Sequence, residues 1–281
     1  MPILFDQTRL VSVVRGYAST AIAAEAAPDS TTDDYAADQQ KVNVRKTIDF
    51  LLPIVRQTGA CSVLDVGCGV GVMVDTLCQH GLDAYGVDMA PVARYWAAHA
   101  LSPQHFAVVD PHTMQLPFAD GVLDFVFSFG VIEHVGTSDG HADRLVDYHA
   151  IRQQWLHEVL RVIKPGGFLL IGGPNRNFPL DVAHGPDSRA SRFERWLSER
   201  LRVSVHAPWG DNFLWGYGDL ARYLSGRNYS LRGLSIADYV GFSRVPGLFR
   251  WAVRVYVRYM PETLLATGFN PWLMALIRKE G

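Results

Sequence analysis

The sequence predicts an α/β fold with a mostly parallel β-sheet and helices on both of its faces. Short apolar runs typical of buried strands alternate with helical patterns along the middle of the chain. The first such strand passes through a glycine-rich turn into a helix, and a later helix ends at Lys-Pro-Gly-Gly before the next strand. Strands that alternate with helices need crossover connections, which make neighbouring strands parallel.

The expected elements follow one another from residue 42 onward. Apolar residues recur at helical spacing from Val42 to Gln57. Strands are then expected at Ser62–Val66, Ala84–Val87, Phe106–Val109, Leu123–Phe127 and Phe168–Ile171, with helices at Val70–His80, Pro91–Ala100 and Ile151–Ile163. The last third of the chain adds a helix at Gly218–Ser225 and strands at Leu231–Tyr239 and Trp272–Arg278.

The organisation expected around these elements is one domain with additions. Residues 1–40 turn from mildly apolar to small, polar and acidic, and we expect an N-terminal segment or lid there. Residues 41–281 form the main domain, in which 178–213 and 241–267 interrupt the strand–helix pattern. We expect these two insertions to form a cap over the substrate.

Composition and charge exclude several classes of function. The chain has 281 residues, 48% of them hydrophobic, which suffices for one large domain or two small ones. Its 26 Lys and Arg nearly balance 28 Asp and Glu, so no general binding of nucleic acid is expected. No apolar run reaches the roughly 20 residues of a membrane-spanning helix, and the N-terminus lacks the apolar core of a secretory signal.

Cysteine usage points to a reducing compartment. The three cysteines are odd in number and show no C-x-x-C spacing; they are Cys61, Cys68 and Cys78. We therefore expect reduced thiols, a cytoplasmic location and no metal site.

The glycine-rich turn, in "VLDVGCGVGVMVDTL" (residues 63–77), indicates a ligand site at the end of the first strand. The dinucleotide pattern G-x-G-x-x-G fails because Val72 takes the place of its third glycine, and no Gly-Lys-Ser/Thr follows for a phosphate loop. The pattern that fits is D-x-G-x-G-x-G, made by Asp65, Gly67, Gly69 and Gly71. The Asp65 carboxylate would repel a pyrophosphate and suits a cation such as an α-ammonium group; a merely tight turn is the structural alternative.

A second carboxylate stands where a nucleoside ribose is held in related sheets. Asp88 ends "AYGVDMA", 21 residues after Gly67. A carboxylate at the end of the second strand can accept hydrogen bonds from both ribose hydroxyls. Alone, Asp88 would equally suit a helix cap.

The glycine turn resembles motif I of the class I S-adenosylmethionine-dependent methyltransferases. "LPFADGVLDFVFSFGVIEHV" (Leu116–Val135) and "EVLRVIKPGGFLLIGGPNRN" (Glu158–Asn177) are similar to later motifs of that superfamily, with the I-E-H and N-R-N of its ubiquinone-biosynthesis-type branch of small-molecule enzymes. The resemblance covers residues 45–177 and is thin in 1–40 and in both insertions. It implies a Rossmann-like, seven-stranded, mostly parallel sheet whose last strand is antiparallel.

The resemblance also implies S-adenosyl-L-methionine as cofactor and assigns residues to it. Asp65 and the backbone of Gly67 and Gly69, with Cys68 between them, would hold the methionine part. Asp88 would hold the ribose, and Met89 would pack against adenine.

The remaining cofactor contacts lie after the third and fourth strands. The family places an acidic residue after the third strand, followed by a residue whose N–H meets the adenine ring. Here Pro111 follows Asp110 and has no N–H to donate, whereas the distance to Leu-Pro-Phe points to His112 and Thr113. Both assignments stay open. The residues expected beside the sulfonium are Ser128, Phe129 and Gly130.

Methyl transfer needs an aligned nucleophile, and an oxygen nucleophile also needs a base. The catalytic candidates are His134 after the fourth strand and His184 and His206 in the first insertion. Glu133 is a further candidate for the base, with a helix cap or a substrate ligand as its other roles. The alternative for His134 is that it fixes its loop by hydrogen bonds. We expect O-methylation of a small or amphipathic molecule; N- or C-methylation, cofactor binding without turnover, and an oxidoreductase are the alternatives.

Two clusters in the insertions suit an apolar or lipid-like acceptor. Trp209, Phe213, Trp215 and Tyr217 suggest a pocket wall or lid, with ordinary core packing as the alternative. In "FRWAVRVYVRYM" (Phe249–Met260), Arg250, Arg254 and Arg258 recur every four residues and form a basic stripe on a helix. The stripe suits peripheral membrane contact through 249–260 or an acidic or lipid substrate; a solvated arginine face is the alternative.

Overall fold

A computed structural model describes residues 41–89, 96, 100–110, 113–137, 144–181, 191–201, 204–205, 213–239 and 247–281. Several predictions therefore lie outside the described residues. They concern the segment 1–40, the helix at Pro91–Ala100 except for Trp96, and the side chains of Pro111, His112, His184, His206 and Trp209.

A seven-stranded sheet with the strand order β3-β2-β1-β4-β5-β9-β8 is the centre of the fold. It is mostly parallel with its last strands antiparallel, which confirms the predicted fold class. Its strands are β1 (Ser62–Val66), β2 (Asp83–Asp88), β3 (Phe106–Val108), β4 (Leu123–Phe129), β5 (Ile163–Pro174), β8 (Tyr229–Gly233) and β9 (Trp272–Lys279). A separate antiparallel ribbon in the first insertion pairs β6 (Leu180–Asp181) with β7 (Ser204–Val205).

The helices fall where apolar residues recur at helical spacing. They are α1 (Leu52–Thr58), α2 (Val72–Gln79), α3 (Tyr148–Val162), α4 (Arg192–Leu201), α5 (Tyr217–Tyr223), α6 (Gly247–Arg258) and α7 (Glu262–Leu265). The helical segment before β1 is described from residue 41 onward and passes through a π-helical turn at Thr47–Leu51 into α1. It ends at Gly59, whose φ of 73° is left-handed.

Two strands differ from the prediction. Lys-Pro-Gly-Gly was expected to separate helix from strand, but β5 begins at Ile163 and includes these residues. An added Cβ at Gly167 would lie 2.8 Å from the Asp124 carbonyl oxygen, and Lys164 Nζ bonds Asp124 Oδ1 at 2.6 Å. Close pairing with β4 therefore overrides the turn tendency of this stretch.

The strand predicted over Leu231–Tyr239 is shorter, because β8 ends at Gly233. The Tyr239 N–H closes a turn on the Ile236 carbonyl at 3.1 Å, and both side chains are buried. Apolar residues that are buried through a turn produced the alternating pattern that suggested a longer strand.

The chain divides into two compact units. The first consists of Met1–Ser128, Glu158–Leu169 and Lys279–Gly281, and the second of Phe129–His157 and Leu170–Arg278. Each has its own apolar core, around Leu64 in the first and Trp215 in the second. Among the helices in the described ranges, none is both long and apolar enough to span a bilayer.

Candidate functional site

The glycine turn after β1 has a backbone that L side chains rarely adopt. Gly67, Gly69 and Gly71 have φ angles of 86°, 52° and 84°. A side chain at these angles would strain the backbone, which explains why three glycines alternate here. The last of them immediately precedes α2, so the turn leads into a helix N-terminus as predicted.

Backbone hydrogen bonds tie this turn to the end of the neighbouring strand. The N–H groups of Gly67 and Cys68 both donate to the Val87 carbonyl, at 2.8 and 3.1 Å. The Gly69 N–H donates to Asp88 Oδ2 at 2.6 Å. The carboxyl ends of β1 and β2 thus form one connected edge.

Asp88 is central to this edge. Its Oδ1 accepts from the Met89 N–H at 2.7 Å, so each carboxylate oxygen holds one backbone N–H. An ionised carboxyl group has about four acceptor sites, which leaves capacity for two ligand hydroxyls. Burial raises the pKa of Asp88, while the two backbone hydrogen bonds act in the opposite direction.

Asp65 is a buried acid at the same edge. It is only 4% exposed. Burial raises its pKa well above the ordinary value, the neighbouring Asp88 raises it further, and Lys46 opposes both. A ligand cation at this position would favour the ionised form of Asp65.

Two aromatic residues that the sequence reasoning missed support the turn from the side. Trp96 Nε1–H donates to the Gly69 carbonyl at 2.8 Å, and its ring stacks on Phe106 at a centroid distance of 5.1 Å. The Phe106 ring fills the space that a side chain at Gly71 would need, since its Cε1 lies 2.5 Å from an added Cβ. The Cδ1 atom of the same ring lies 2.8 Å from an added Cβ at Gly86. A glycine inside the strand pattern at position 86 was the available signal for such close packing.

The segment after β3 reaches the same edge. The Val109 N–H bonds the Asp88 carbonyl at 2.9 Å, which places Asp110 next to the end of β2. Asp110 is half-buried and Thr113 is exposed. The Asp110 carbonyl accepts from the Met114 N–H at 2.8 Å and closes a turn in which Met114 has a φ of 53°. The contacts of Asp110 and Thr113 with adenine, and the choice between the two assignments, stay predictions.

The three residues predicted beside the sulfonium differ in how their groups are used. Ser128 is 1% exposed, and its hydroxyl donates to the Val66 carbonyl at 2.7 Å, so it fastens β4 to β1. Phe129 is half-buried and meets Tyr239 edge-on at 5.2 Å. Gly130 has a φ of 71° and donates to the Gly172 carbonyl at 2.8 Å.

The second unit holds the candidates for acid–base chemistry. His134 lies half-buried in a turn, and its N–H donates to the Val131 carbonyl at 2.9 Å. Glu133 is fully buried, and its Oε2 lies 3.0 Å from the place of an added Cβ at Gly173. Trp215 Nε1 lies 2.8 Å from that same place, so carboxylate and indole both pack over Gly173 in β5.

The aromatic cluster and the N-R-N stretch belong to the packing of the second unit. Phe213 and Trp215 are 2% and 0% exposed, which fits core packing better than a lid. Asn175 Nδ2 donates to the carbonyls of Thr267 and Asn270, both at 2.9 Å, and so holds the segment before β9.

The known proteins that this chain resembles are methyltransferases. Residues 64–171 match the family model described as "Methyltransferase domain". An uncharacterized methyltransferase of Mycolicibacterium gilvum (strain PYR-GCK) is 30% identical over 229 residues, which cover 78% of this chain and 70% of that one.

Two further relatives match over shorter stretches. An uncharacterized methyltransferase of Mycobacterium leprae (strain Br4923) is 32% identical over 149 residues, covering 50% of this chain and 49% of the relative. A ubiquinone biosynthesis O-methyltransferase of Photorhabdus laumondii subsp. laumondii is 30% identical over 121 residues, covering 41% of this chain and 43% of the relative. The match to the Mycobacterium relative thus spans about half of its length.

Proposed function

The chain belongs to the class I S-adenosylmethionine-dependent methyltransferases, and on that premise we propose that it methylates an oxygen atom of a small or amphipathic acceptor. The observation that carries the proposal is the edge formed by β1 and β2, where buried Asp65 and hydrogen-bonded Asp88 flank three left-handed glycines. The relative named as an O-methyltransferase supports oxygen as the acceptor atom.

The residues of this edge fit the parts of S-adenosylmethionine. Asp65 offers a buried carboxylate to the α-ammonium group, and Asp88 has acceptor capacity left for the ribose hydroxyls. Met89 is 43% exposed beside Asp88, and an apolar side chain there suits the face of adenine. The bound cofactor supplies a methyl group on a positively charged sulfur, together with a good leaving group.

Proton removal from the acceptor is assigned to His134 first. Methylation of a hydroxyl needs a base within hydrogen-bond reach of the acceptor oxygen. His134 follows β4 by five residues and is half-buried. His184 and His206 in the first insertion are the other candidates for this role.

The cofactor assignment is tested by exchanging Asp88 for asparagine and measuring S-adenosylhomocysteine affinity by calorimetry. Asp88→Asn should weaken binding by about 1–3 kcal/mol, the scale of a hydrogen bond to a charged group. Asp83→Asn, an exposed change in the same strand, is the matched control and should leave the dissociation constant unchanged. Equal affinities in all three proteins would refute the ribose role.

The acceptor atom is tested by product analysis. The protein is incubated with a labelled methyl donor and a panel of phenols, carboxylic acids, amines and quinol-type rings. A labelled ether or ester supports O-methylation, whereas a labelled amine or ring carbon replaces it with N- or C-methylation. Binding of S-adenosylmethionine without any turnover would favour a non-catalytic role.

We also propose peripheral membrane contact through residues 249–260, supported by the outward face of α6. Trp251 in α6 and Tyr259, which directly follows this helix, are 74% and 76% exposed. The stripe of Arg250, Arg254 and Arg258 lies directly beside that face at helical spacing. Val257 is buried, whereas the aromatic residues of this segment are exposed, so α6 presents an aromatic surface outward. Arg254 and Arg258 are exposed beside it, and Arg250 is half-buried.

Charge and side-chain type favour an anionic lipid surface for this face. Residues 241–261 contain four Arg and no Asp or Glu. Exposed Trp and Tyr beside Arg match the interfacial region of a bilayer, where aromatic rings meet the headgroups and basic side chains meet anionic lipids. In α4 of the first insertion, Phe193 and Trp196 are also exposed and stack at 6.1 Å.

Vesicle sedimentation tests this contact. The protein should bind phosphatidylcholine vesicles that contain about 30% phosphatidylserine, and it should be released as salt rises. Trp251→Ala combined with Arg258→Glu should abolish binding, whereas Arg56→Glu, at an exposed position of α1, should not. Unchanged binding by the Trp251→Ala, Arg258→Glu variant would overturn the proposal, and so would salt-independent binding to neutral vesicles. A protein partner would then be the better candidate.

A cytoplasmic location is part of the same proposal. The three cysteines are all free, as expected in a reducing compartment. The cytoplasmic leaflet also presents the anionic lipids that the basic face of α6 suits.

A further inference from the structure

Arg152 is a fully buried cation in the second unit to which the sequence assigned no role. It lies within α3, and burial lowers its pKa, an effect that Tyr223 and Glu133 oppose. A guanidinium group stays protonated even when its pKa is lowered in this way. A buried charge persists only where its surroundings provide hydrogen bonds, so the partners of Arg152 show what it does.

The guanidinium group grips the turn that carries His134 on both sides. Nη2 donates to the Glu133 carbonyl at 2.7 Å, and Nε donates to the Val135 carbonyl at 3.0 Å. These carbonyls belong to the residues immediately before and after His134. Because a charged donor gives strong hydrogen bonds, the backbone of His134 is held at two adjacent points.

The same side chain reaches the end of the first insertion. Nη2 also donates to the Phe213 carbonyl at 2.7 Å, and Phe213 is 2% exposed. The guanidinium lies 4.9 Å from the ring centre of Tyr148, one turn earlier in α3. Helix, turn and insertion are thus joined by one planar group with several donors, a geometry that a lysine cannot reproduce.

We propose that Arg152 is a positioning residue that places the imidazole of His134 for proton transfer from the acceptor. The proposal rests on the proposed function, in which His134 is the base. A shift of a catalytic group by about 1 Å can lower a rate by about 100-fold. The hydrogen bonds from Arg152 to the carbonyls on either side of His134, called the clamp below, therefore have a direct consequence for turnover.

A double-mutant cycle tests the proposal. Arg152→Gln should lower kcat by about 10-fold or more in the wild type, with the S-adenosylhomocysteine dissociation constant within about twofold. In the His134→Ala background the same change should alter kcat by less than about twofold, since a residue that acts through His134 has nothing left to position. Equal fold losses in both backgrounds overturn the proposal.

Arg161→Gln is the matched control in the same helix. Arg161 also donates to two backbone carbonyls, those of Phe118 at 2.9 Å and Leu116 at 3.2 Å, but in the first unit. Its effect on kcat should be the same with and without His134. Arg152→Lys should restore part of the rate, and it replaces Arg152→Gln in the cycle if the glutamine variant does not fold.

Hydrogen exchange provides a readout that does not need turnover. Amides in the peptide 131–137 should exchange faster in Arg152→Gln and at an unchanged rate in Arg161→Gln. Arg152 donates to two carbonyls of this turn, whereas Arg161 donates to Phe118 and Leu116. Unchanged exchange in Arg152→Gln overturns the clamp. A rate unaffected by His134→Ala overturns the positioning role and leaves methyl transfer intact, whereas failure of the proposed function appears separately as absent turnover with every acceptor.

Discussion

Single residues determine the shape of the edge at the carboxyl ends of β1 and β2, the proposed cofactor site, which is called the cofactor edge below. The left-handed glycines allow the turn to fold back on Val87 and Asp88, and Phe106 occupies the space that a side chain at Gly71 would need. The pKa of Asp65 is raised in the free protein, because its carboxyl group is buried and lies near Asp88. Both properties have measurable consequences.

Gly71→Ala should destabilise the protein more than Gly59→Ala. Both glycines have a positive φ, but an added Cβ meets nothing within 4 Å at Gly59 and lies 2.5 Å from Phe106 Cε1 at Gly71. We expect a loss of about 1–2 kcal/mol in the free energy of unfolding at Gly59. Overpacking should add about 1–3 kcal/mol at Gly71. Urea denaturation measures both, and equal losses would contradict the packing of Phe106 under the turn.

Cofactor binding should release protons through Asp65. Its raised pKa means that the free protein holds this proton to a higher pH than an ordinary aspartate, whereas a bound ammonium group favours the carboxylate. Affinity for S-adenosylhomocysteine should therefore rise as the pH rises through the raised pKa. Calorimetry in two buffers of different ionisation enthalpy measures the release. Asp65→Asn should abolish it, and an unchanged release would assign the proton to another group.

Elements of the first unit are joined by a polar cluster at the start of β1. Asp124 in β4 accepts from the N–H of Ser62 at 2.9 Å and the N–H of Cys61 at 3.1 Å. It also pairs with Lys164 Nζ of β5 at 2.6 Å. These bonds align three neighbouring strands at the edge opposite to the glycine turn, and they lower the pKa of Asp124 to about 2 despite partial burial, which acts in the opposite direction.

Asp124→Asn should destabilise the protein at neutral pH. The carboxyl pKa is about 2 in the folded protein against 3.8 ordinarily, so its contribution is present above about pH 4 and is lost as the pH falls toward 2. The lowered pKa corresponds to about 2 kcal/mol of unfolding free energy. Asp120→Asn is the control, since Asp120 is 81% exposed in its ion pair with Arg161. Denaturation at pH 7 and pH 3 checks the effect, and a loss independent of pH would contradict it.

At the scale of the whole molecule, the candidate residues divide between the two units. The residues assigned to the cofactor from Asp65 to Ser128 belong to the first unit, whereas Phe129 and Gly130 belong to the second. His134, Arg152 and α6 also belong to the second unit. Ligand stabilisation of the complete chain therefore reports on the cofactor edge without requiring knowledge of the acceptor.

S-adenosylhomocysteine should raise the melting temperature of the complete chain. A ligand present at about 100 times its dissociation constant stabilises the folded state by about 2.7 kcal/mol. This corresponds to roughly 5 °C for a chain of 281 residues, because the unfolding entropy is about 2.1 cal/mol/K per residue. Scanning calorimetry or fluorimetry measures the shift. It should shrink in Asp88→Asn and persist in Asp83→Asn; no shift in the wild type would argue against the cofactor assignment.

The sheet, the glycine turn and the two acids at the ends of β1 and β2 could be predicted from the amino-acid sequence alone. These follow from local rules: apolar periodicity predicts strands and helices, and glycine spacing beside Asp65 predicts a left-handed turn with a carboxylate nearby. The strand ends that carry Asp65 and Asp88 meet because parallel strands place their carboxyl ends at one edge.

Features that depend on contacts between distant parts of the chain could not be predicted in this way and are seen only in the folded protein. The Lys-Pro-Gly-Gly stretch became part of β5 because it pairs with β4, against its local tendency to turn. Trp96 supports Gly69 from 27 residues away, and Arg152 reaches Phe213 from 61 residues away. No pattern in sequence spacing encodes such contacts, since they depend on how side chains meet once the helices and strands have packed.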